Sequence, residues 1–366
     1  MSQSAESSDA GLAAPGRIQP VNRYLTLETG RFIAAFFVVV GHLHDFAALV
    51  GGGKMPPGTS LPPVMPVLFF FVLSGFVIQT AHGNDVGRPE RLLRYGWRRF
   101  CRLFPLYWLS LLVPLYFLLR VTPPIRLIEN LTLSPFANPH LQEFNPPAWS
   151  LRFELAYYLM FWFMLLKRVR TPLILFWLVA IIIHWLRGIY GIKVPLFFGH
   201  WQAGFDMRFL GVHSFLFLTG MGAAALHAKF RLRASALWWI FGVSLAALIA
   251  SLPTQDWGYG YPPAVLEPVV GLFFGGMILG LAGLERGGHL RIPGWCVWLG
   301  AMSYPLYLIH SSVSFIAGYE VAFVHRGSPP PASFTLFVAM LLPTLVLAGI
   351  MAVIDRSFQN VARRLV

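Results

Sequence analysis

Hydrophobic residues occur along this chain in long continuous runs, which are separated by short segments rich in arginine, proline and glycine. Runs such as 64–81 and 263–284 have the length of about 17 to 25 residues with which a helix crosses the hydrocarbon of a bilayer. They do not alternate with period two, and they are longer than the ~10-residue strands of membrane β-barrels. The pattern therefore predicts an all-α polytopic membrane protein.

The same runs predict about ten transmembrane helices. Their approximate bounds are 27–50, 64–82, 103–120, 148–166, 171–187, 208–228, 235–252, 263–284, 294–317 and 334–354. An even number of crossings places both termini of the chain on the same side of the membrane.

Composition excludes a soluble protein, and charge orients the membrane protein. Only 12% of the 366 residues are charged and 56% are hydrophobic, whereas an ordinary soluble domain carries roughly 25% charged residues. Of the 28 lysines and arginines, 20 fall in segments on the side of the termini and at most eight on the other side. The positive-inside rule then predicts that both termini are cytoplasmic. The net charge of +13 is thus mainly a topology signal, and no nucleic-acid partner is expected.

No break in composition divides the chain into separate domains. Residues 1–23 are rich in small and polar residues and lack the apolar core of a signal peptide, so we expect a disordered cytoplasmic tail. Residues 24–355 form one predicted membrane domain, and 356–366 form a short basic cytoplasmic end. Cys101 and Cys296 fall at predicted cytoplasmic helix ends, where thiols stay reduced, and no metal site is expected.

The first predicted helix carries an arginine and a histidine on one face. Arg31 and His42 are eleven residues apart, which brings them within about 20° of each other and ~16.5 Å apart along a helix axis. A charged side chain inside a span costs about 2.5–3.5 kcal/mol, so it needs a partner or a function. Asp45 is the expected partner of the His42 ring. The structural alternative is a histidine that only bonds a neighbouring helix.

Arginines are concentrated before the third span. Arg94, Arg98 and Arg102 follow one side of a predicted helix, and Arg99 lies beside them. Because guanidinium binds phosphate through two parallel hydrogen bonds, this segment is a candidate phosphate clamp. The alternative is a positive-inside anchor that binds no ligand.

Polar or small residues also interrupt the second and fourth spans. Ser74 and Gly75 would let a substrate approach the backbone or, alternatively, let two helices pack closely. Glu154 enters the fourth span about one turn from the outer side, and Ser150 shares its face. A structural ion pair and a site role are both open for Glu154, although Arg152 is poorly placed to pair with it.

The ninth span carries Ser303, Tyr307 and His310 on one helical face. The loops predicted on the outer side contain many aromatic residues, for instance Trp201 and Trp257. Such residues mark the membrane interface, and stacking on sugar rings is the functional alternative.

Taken in order, these stretches resemble the membrane-bound acyltransferase 3 family, which O-acylates bacterial surface and exported saccharides. The stretches that carry the resemblance are Arg31-Phe32-Ile33-Ala34 with the spacing to His42, Phe70-Phe71-Val72-Leu73-Ser74-Gly75-Phe76, the segment from Arg98 to Trp108, Trp149-Ser150-Leu151 with Glu154, and Ser303-Tyr304 through His310. The chain departs from many members at Leu27-Glu28-Thr29-Gly30, where they have Leu-Asp-Gly-Leu before the arginine. It resembles the stand-alone members that lack an extracytoplasmic SGNH domain.

The resemblance implies an acyl-CoA donor, most often acetyl-CoA, in the cytoplasm. It further implies that the acceptor is a saccharide or lipid-linked glycan, that polysaccharide biosynthesis proteins are candidate partners, and that the location is the bacterial inner membrane. The catalytic residues expected on this basis are His42, Arg31, Asp45 and Glu154. The expected donor-binding residues are Arg94, Arg98, Arg99, Arg102, Ser74 and Gly75, and the expected acceptor-binding residues are Trp149, Ser150, Tyr307 and His310.

In this mechanism His42, oriented by Asp45, acts as a general base on the acceptor hydroxyl or briefly carries the acyl group itself. Arg31 anchors CoA or stabilises developing charge, and Glu154 orients an acceptor hydroxyl or Arg152. The sequence leaves the acceptor glycan and the length of the acyl group open.

Two other classes of protein compete with this interpretation. Intramembrane Arg, His and Glu side chains also suit a secondary transporter or flippase for a glycan or small solute. No internal repeat of the kind many transporters have is obvious in the chain. An inactive membrane scaffold fits poorly with so many aligned polar groups.

Overall fold

The computed structural model describes residues 24–52, 55, 64–118, 122–138, 140, 143–192, 199–252, 266–324 and 329–364. The predicted tail 1–23 and the aromatic loop around Trp257 lie outside the described residues. The regular structure of the described residues is helical, apart from one isolated bridge between Gly52 and Ala332.

Thirteen α-helices follow one another in the described part of the chain. They are α1 (Leu25–Val50), α2 (Val64–His82), α3 (Leu92–Ser110), α4 (Leu112–Leu118), α5 (Pro124–Leu131), α6 (Ala148–Met164), α7 (Lys167–Ile189), α8 (Gly199–Phe205), α9 (His213–Lys229), α10 (Ala234–Ser251), α11 (Glu267–Arg286), α12 (Cys296–Tyr319) and α13 (Ser333–Arg364). Short π-helical turns at Asp206–Leu210 and Glu320–Val324 continue α8 and α12.

Eight of the ten predicted spans are helices long and apolar enough to cross a membrane, counted over the residues described. These eight are α1, α2, α7, α9, α10, α11, α12 and α13. The predicted span 103–120 is bent, because α3 and α4 meet at 48° on either side of Leu111. The predicted span 148–166 is α6, a helix of 17 residues. The all-α membrane architecture is confirmed, with eight spans or nine when the bent pair counts as one.

Two helices extend beyond their predicted bounds on the side expected to be cytoplasmic. The arginine-rich segment before residue 103 is the first part of α3, which begins at Leu92. The predicted basic end from residue 356 continues α13, which reaches Arg364 without a break. The two extensions contact each other, since Gln359 of α13 donates a hydrogen bond of 2.9 Å to the backbone carbonyl of Cys101 in α3.

The centre of the bundle is formed by α1, α2, α9, α11 and α12, with α13 packed against α1, α3 and α12. The larger hydrophobic core joins mainly α2, α3, α6, α9 and α11. A smaller one joins α1, α12 and α13. Helix α1 therefore lies between the two cores, while Ile33, Phe37 and Leu49 leave part of its surface exposed.

Helices α2 and α9 cross with their backbones in contact. A β-carbon at Gly220 would meet the carbonyl oxygen of Val72, and one at Gly75 would meet the carbonyl oxygen of Phe217. In lipid, such close packing of small residues is what drives helices together. The space beside Gly75 is thus filled by α9, which contradicts the prediction that a substrate approaches the backbone there.

The start of α1 is fixed by the ends of two other helices. Glu285 of α11 accepts hydrogen bonds from the backbone N–H groups of Leu25 (2.7 Å) and Thr26 (2.9 Å), and it caps the positive end of α1. The Tyr24 hydroxyl lies 2.7 Å from Nε2 of His227 near the end of α9. The beginning of α1 and the ends of α9 and α11 therefore lie at one end of the bundle.

The segment between α4 and α6 covers the opposite end of the bundle. Asn145 donates hydrogen bonds to the Ser110 hydroxyl (2.9 Å) and to the Leu308 carbonyl (3.1 Å). Asn130 accepts one of 2.9 Å from the Phe144 backbone N–H. Both asparagines are buried, so these bonds fix the loop on α3 and α12.

The α2–α9 crossing gives a first prediction. The Gly220→Ala variant should unfold at a lower temperature than the natural protein, because its methyl group would force two backbones apart, at a cost of about 1–3 kcal/mol. The measurement is thermal unfolding of the purified protein in detergent. Gly222→Ala is the matched control, since its β-carbon would have no atom within 4 Å. Equal unfolding temperatures for the two variants would contradict this packing.

Candidate functional site

Side chains of α3, α6 and α12 lie along the polar face of α1, and α13 adds Asp355, which interacts with Arg102 of α3. Helix α1 is continuous from Leu25 to Val50, so Arg31 and His42 keep the alignment that their spacing predicts. Two groups of polar side chains form along this face. One surrounds Arg31 near the start of α1, and the other surrounds His42 farther along.

The group around Arg31 brings together residues that are far apart in the sequence. The Nη1 atom of Arg31 lies 3.8 Å from the carboxylate of Glu28, one turn earlier. Arg31 also interacts electrostatically with Arg102 of α3 and with Glu154 of α6. We call this group the charged cluster, and its members are Glu28, Arg31, Arg102, Glu154, Tyr158 and Asp355.

Arg102 has a central position in the charged cluster. It interacts electrostatically with Glu28 of α1, Glu154 of α6 and Asp355 of α13. Among the described residues, however, no hydrogen bond or close ion pair joins its guanidinium to another side chain. The carboxylates thus compensate its charge from a distance, and its N–H donors retain capacity for a ligand.

Glu154 belongs to the charged cluster and does not pair with Arg152. It accepts a hydrogen bond from the Tyr158 hydroxyl, one turn later on α6. Arg152 instead binds both carboxylate oxygens of Glu143, at 2.6 and 2.8 Å. Of the two predicted roles of Glu154, that of orienting Arg152 is therefore wrong, because the two side chains leave α6 in different directions.

Arg152 holds the segment before α6 to this helix. Besides the bond to Glu143, its guanidinium donates to the backbone carbonyls of Glu129 (2.7 Å) and Ser134 (2.9 Å). The side chain of Arg152 is fully buried, and that of Glu143 is 8% exposed. The guanidinium uses four of its five N–H donors, so loss of either partner would leave the other charge buried and uncompensated.

The ring of His42 is paired with a second histidine. Its Nδ1 atom lies 3.0 Å from Nε2 of His310 on α12, and the two rings are nearly parallel, at 18°. Asp45 instead lies 3.0 Å from Nδ1 of His44. The carboxylate of Asp45 turns toward the adjacent His44 and interacts with His42 only electrostatically, and the sequence reasoning missed the partner of His42 on α12.

Two further predicted acceptor-binding residues, Ser150 and Tyr307, lie next to the histidine pair that contains His310. The hydroxyl groups of Ser150 and Tyr307 are 2.7 Å apart, and Tyr307 also donates to the Pro147 carbonyl at 2.9 Å. The rings of Tyr307 and His310 are 6.2 Å apart. Trp149 lies to one side of this group, with its ring 6.3 Å from that of Phe71.

The four predicted donor-binding arginines do not form one clamp. Arg102 is in the charged cluster, whereas Arg99 places its guanidinium 5.4 Å from the ring centres of both Tyr95 and Tyr158. Arg98 interacts electrostatically with His82 at the end of α2. Arg94 lies one turn nearer the start of α3 and is half-buried.

Sequence reasoning did not single out several members of the site. Glu28 precedes Arg31 by three residues, which is the spacing of a helical ion pair. Asp355 is 7% exposed and directly follows the last predicted span, where an unpaired acid is unexpected. These two signals were available in the sequence. That both residues meet Arg102 depends on how α1, α3 and α13 pack.

The described residues of the site do not form an obvious set of metal ligands. Over the residues that the structure describes, no group of three or more His, Cys, Asp or Glu side chains is placed to hold a metal ion.

Comparison with known proteins gives one match. The model of the acyltransferase domain of the acyltransferase 3 family matches residues 24–353, which include every predicted site residue. No curated protein and no solved structure matches the chain.

The contrast between Arg152 and Glu154 gives a second prediction. Arg152→Ala should destabilise the protein by about 3–5 kcal/mol, because it leaves the Glu143 carboxylate buried without a partner. The added change Glu143→Ala should restore part of the loss in a thermal unfolding measurement. Glu154→Gln keeps an oxygen that can accept the Tyr158 hydroxyl and is the matched control. Unfolding of Arg152→Ala at the natural temperature would refute the role in stability.

Proposed function

The chain belongs to the acyltransferase 3 family, and from this premise we propose that it transfers an acyl group from cytoplasmic acyl-CoA to a hydroxyl of a saccharide. The acyl group proposed is acetyl, and the proposed location is the bacterial inner membrane, with both termini in the cytoplasm. A free or lipid-linked glycan is the acceptor, and polysaccharide biosynthesis proteins would supply it.

The observation that supports this proposal most is the order of polar groups along α1. The charged cluster lies around Arg31, and the histidine pair lies about 16.5 Å farther along the same helix face. This separation is roughly half of the ~30 Å of hydrocarbon. A donor that enters from one side of the membrane would thus meet an acceptor that enters from the other.

The charges of the cluster suggest which part of the donor it contacts. Arg31 and Arg102 are opposed by the carboxylates of Glu28, Glu154 and Asp355. A diphosphate added to this group would bring further negative charge next to three carboxylates. We therefore assign the CoA phosphates to the mouth of the site, at Arg94 and Arg98. The uncharged pantetheine arm passes the cluster toward His42.

The histidine pair supplies the proton chemistry. With the Nδ1 proton of His42 donated to Nε2 of His310, the Nε2 atom of His42 is free to accept a proton. It takes the proton of the acceptor hydroxyl as that oxygen attacks the thioester carbon. The C–S bond then breaks, and the protonated His42 returns the proton to the leaving CoA sulfur. Direct transfer of the acyl group to His42 before the acceptor attacks is the alternative course.

The groups around the pair would position the two substrates. Ser150 and Tyr307 present hydroxyl groups next to His310, where they can bind hydroxyls of a sugar. Arg31 and Arg102 remain within the donor passage, and Glu154 with Tyr158 keeps their charge compensated. Trp149 offers an aromatic surface beside this group.

The third prediction tests the histidine pair. His42→Ala should lower the turnover of acetyl-CoA with a saccharide acceptor by about 10²–10⁴-fold, the usual contribution of a general base. His310→Ala should also lower kcat, because it removes the group that orients His42. The measurement is CoA release by the purified protein in lipid vesicles.

His44→Ala is the matched control for these two variants. Its ring lies two residues from His42 but pairs with Asp45, so turnover should be unchanged. Natural turnover in a folded His42→Ala variant would refute the catalytic assignment. Uptake of a solute by the vesicles without CoA release would favour the transporter.

The fourth prediction tests the donor passage. Arg102→Gln should raise the KM for acetyl-CoA about tenfold, which corresponds to the loss of ~1.4 kcal/mol of binding. Asp355→Asn should raise KM less and leave kcat nearly unchanged, because Asp355 acts only by compensating the charge of Arg102. If so, the double variant should resemble Arg102→Gln alone. Fully additive effects on KM would show that the two residues act independently.

A further inference from the structure

A groove of about 720 Å³ runs between α3 and α6 on the outer surface of the bundle. Its walls are almost entirely apolar, and they are formed by residues 92–104 of α3 and 155–162 of α6. Leu93, Trp97 and Leu159 are among its exposed members, with Leu93 84% exposed. The groove is therefore open to the surroundings of α3 and α6, which in a membrane are lipid molecules.

With the predicted span bounds, the groove would extend from the level of the lipid headgroups into the hydrocarbon. Leu93 and Phe104, at its two ends, are eleven residues and thus about 16 Å apart on α3. The continuous apolar run of α3 begins near residue 103, so the earlier part of the groove lies at the membrane interface. Trp97 and Trp162 line this part, as is usual for tryptophans at the interface.

One cation stands in the apolar wall. Arg99 lies over the rings of Tyr95 and Tyr158, and no acidic residue lines the groove. In the part of the chain that the structure describes, no carboxylate forms an ion pair with Arg99, and its Nε atom is buried without a hydrogen-bond partner. A guanidinium in such a place is stabilised by an anion, and phosphate suits its geometry best.

We propose that this groove binds an anionic phospholipid of the surrounding leaflet. The phosphate of the lipid pairs with Arg99, and one acyl chain follows the groove past Leu103 and Phe104 to Leu155. Basic pockets between membrane helices bind anionic headgroups in this way. Under the predicted topology the lipid belongs to the cytoplasmic leaflet.

The site is adjacent to the charged cluster, which gives the lipid a route to influence it. Tyr158 forms part of the groove wall, and its hydroxyl donates to Glu154. A chain packed against the Tyr158 ring would restrict its motion and that of its partner. The binding of lipid does not depend on the proposed reaction and can be tested without any measurement of activity.

Gly96 offers a way to close the groove without disturbing the fold. It lines the groove, and a β-carbon built on it would have no atom within 4 Å. Leucine is a better helix former than glycine, so Gly96→Leu fills the groove without a clash at the β-carbon. Gly242→Leu on α10 is the matched control, since its β-carbon would also have no atom within 4 Å and it lies away from the groove.

The fifth prediction is measured by native mass spectrometry of the purified protein in detergent with added phosphatidylglycerol or phosphatidylcholine. The natural protein and Gly242→Leu should retain one phosphatidylglycerol, with about fivefold preference over phosphatidylcholine. Gly96→Leu should lose this lipid. Arg99→Gln should retain a lipid but bind the two kinds equally, since the chain still fits and the cation is gone.

Two outcomes would overturn the proposal. Equal retention of phosphatidylglycerol by Gly96→Leu and Gly242→Leu would show that the groove is not the binding site. Equal binding of both lipids by the natural protein would show that the groove holds only ordinary bilayer lipid. Loss of CoA release in His42→Ala would have no bearing on either result, so the two proposals fail separately.

Discussion

A polar side chain that a helix carries into hydrocarbon must find its partner inside the protein, because lipid offers none. Helix α1 carries Arg31 and His42 on one face, and the arrangement of its neighbours follows from this requirement. Helices α3 and α6 bring charges around Arg31, α13 brings Asp355 toward Arg102, and α12 brings His310 to His42. The polar line that results is enclosed between two hydrophobic cores.

The closeness of these helices depends on small residues at other places in the bundle. Gly75 and Gly220 let α2 and α9 cross with backbones in contact. Glu285 fixes the first turn of α1, and Arg152 fixes the loop above α6. None of these four residues needs to touch a substrate. They support the site by holding the helices that carry it. Substitutions at these four residues should therefore lower stability, whereas substitutions within the site should lower activity.

The arginines of α3 show how one basic segment serves different partners. Arg102 faces the charged cluster, whereas Arg99 faces the groove between α3 and α6. Arg99 and Arg102 are three residues apart and thus only about 60° apart around the helix, so the boundary between the two surroundings runs between them. The spacing of the arginines predicted one basic face. The packing of α6 and α13 against α3 divides it into a polar interior and a surface that meets lipid.

The sequence by itself determined the class of fold, most of the spans, the alignment of Arg31 with His42 and the family. Run length and helical periodicity are local properties, so a reading of the chain recovers them. Only the tertiary structure decided that His310 pairs with His42, that Asp45 turns to His44, and that Asp355 belongs with Arg102. Partners on different helices are chosen by rotation and depth in the bundle. Packing of the whole chain sets both, and no pattern within one helix contains them.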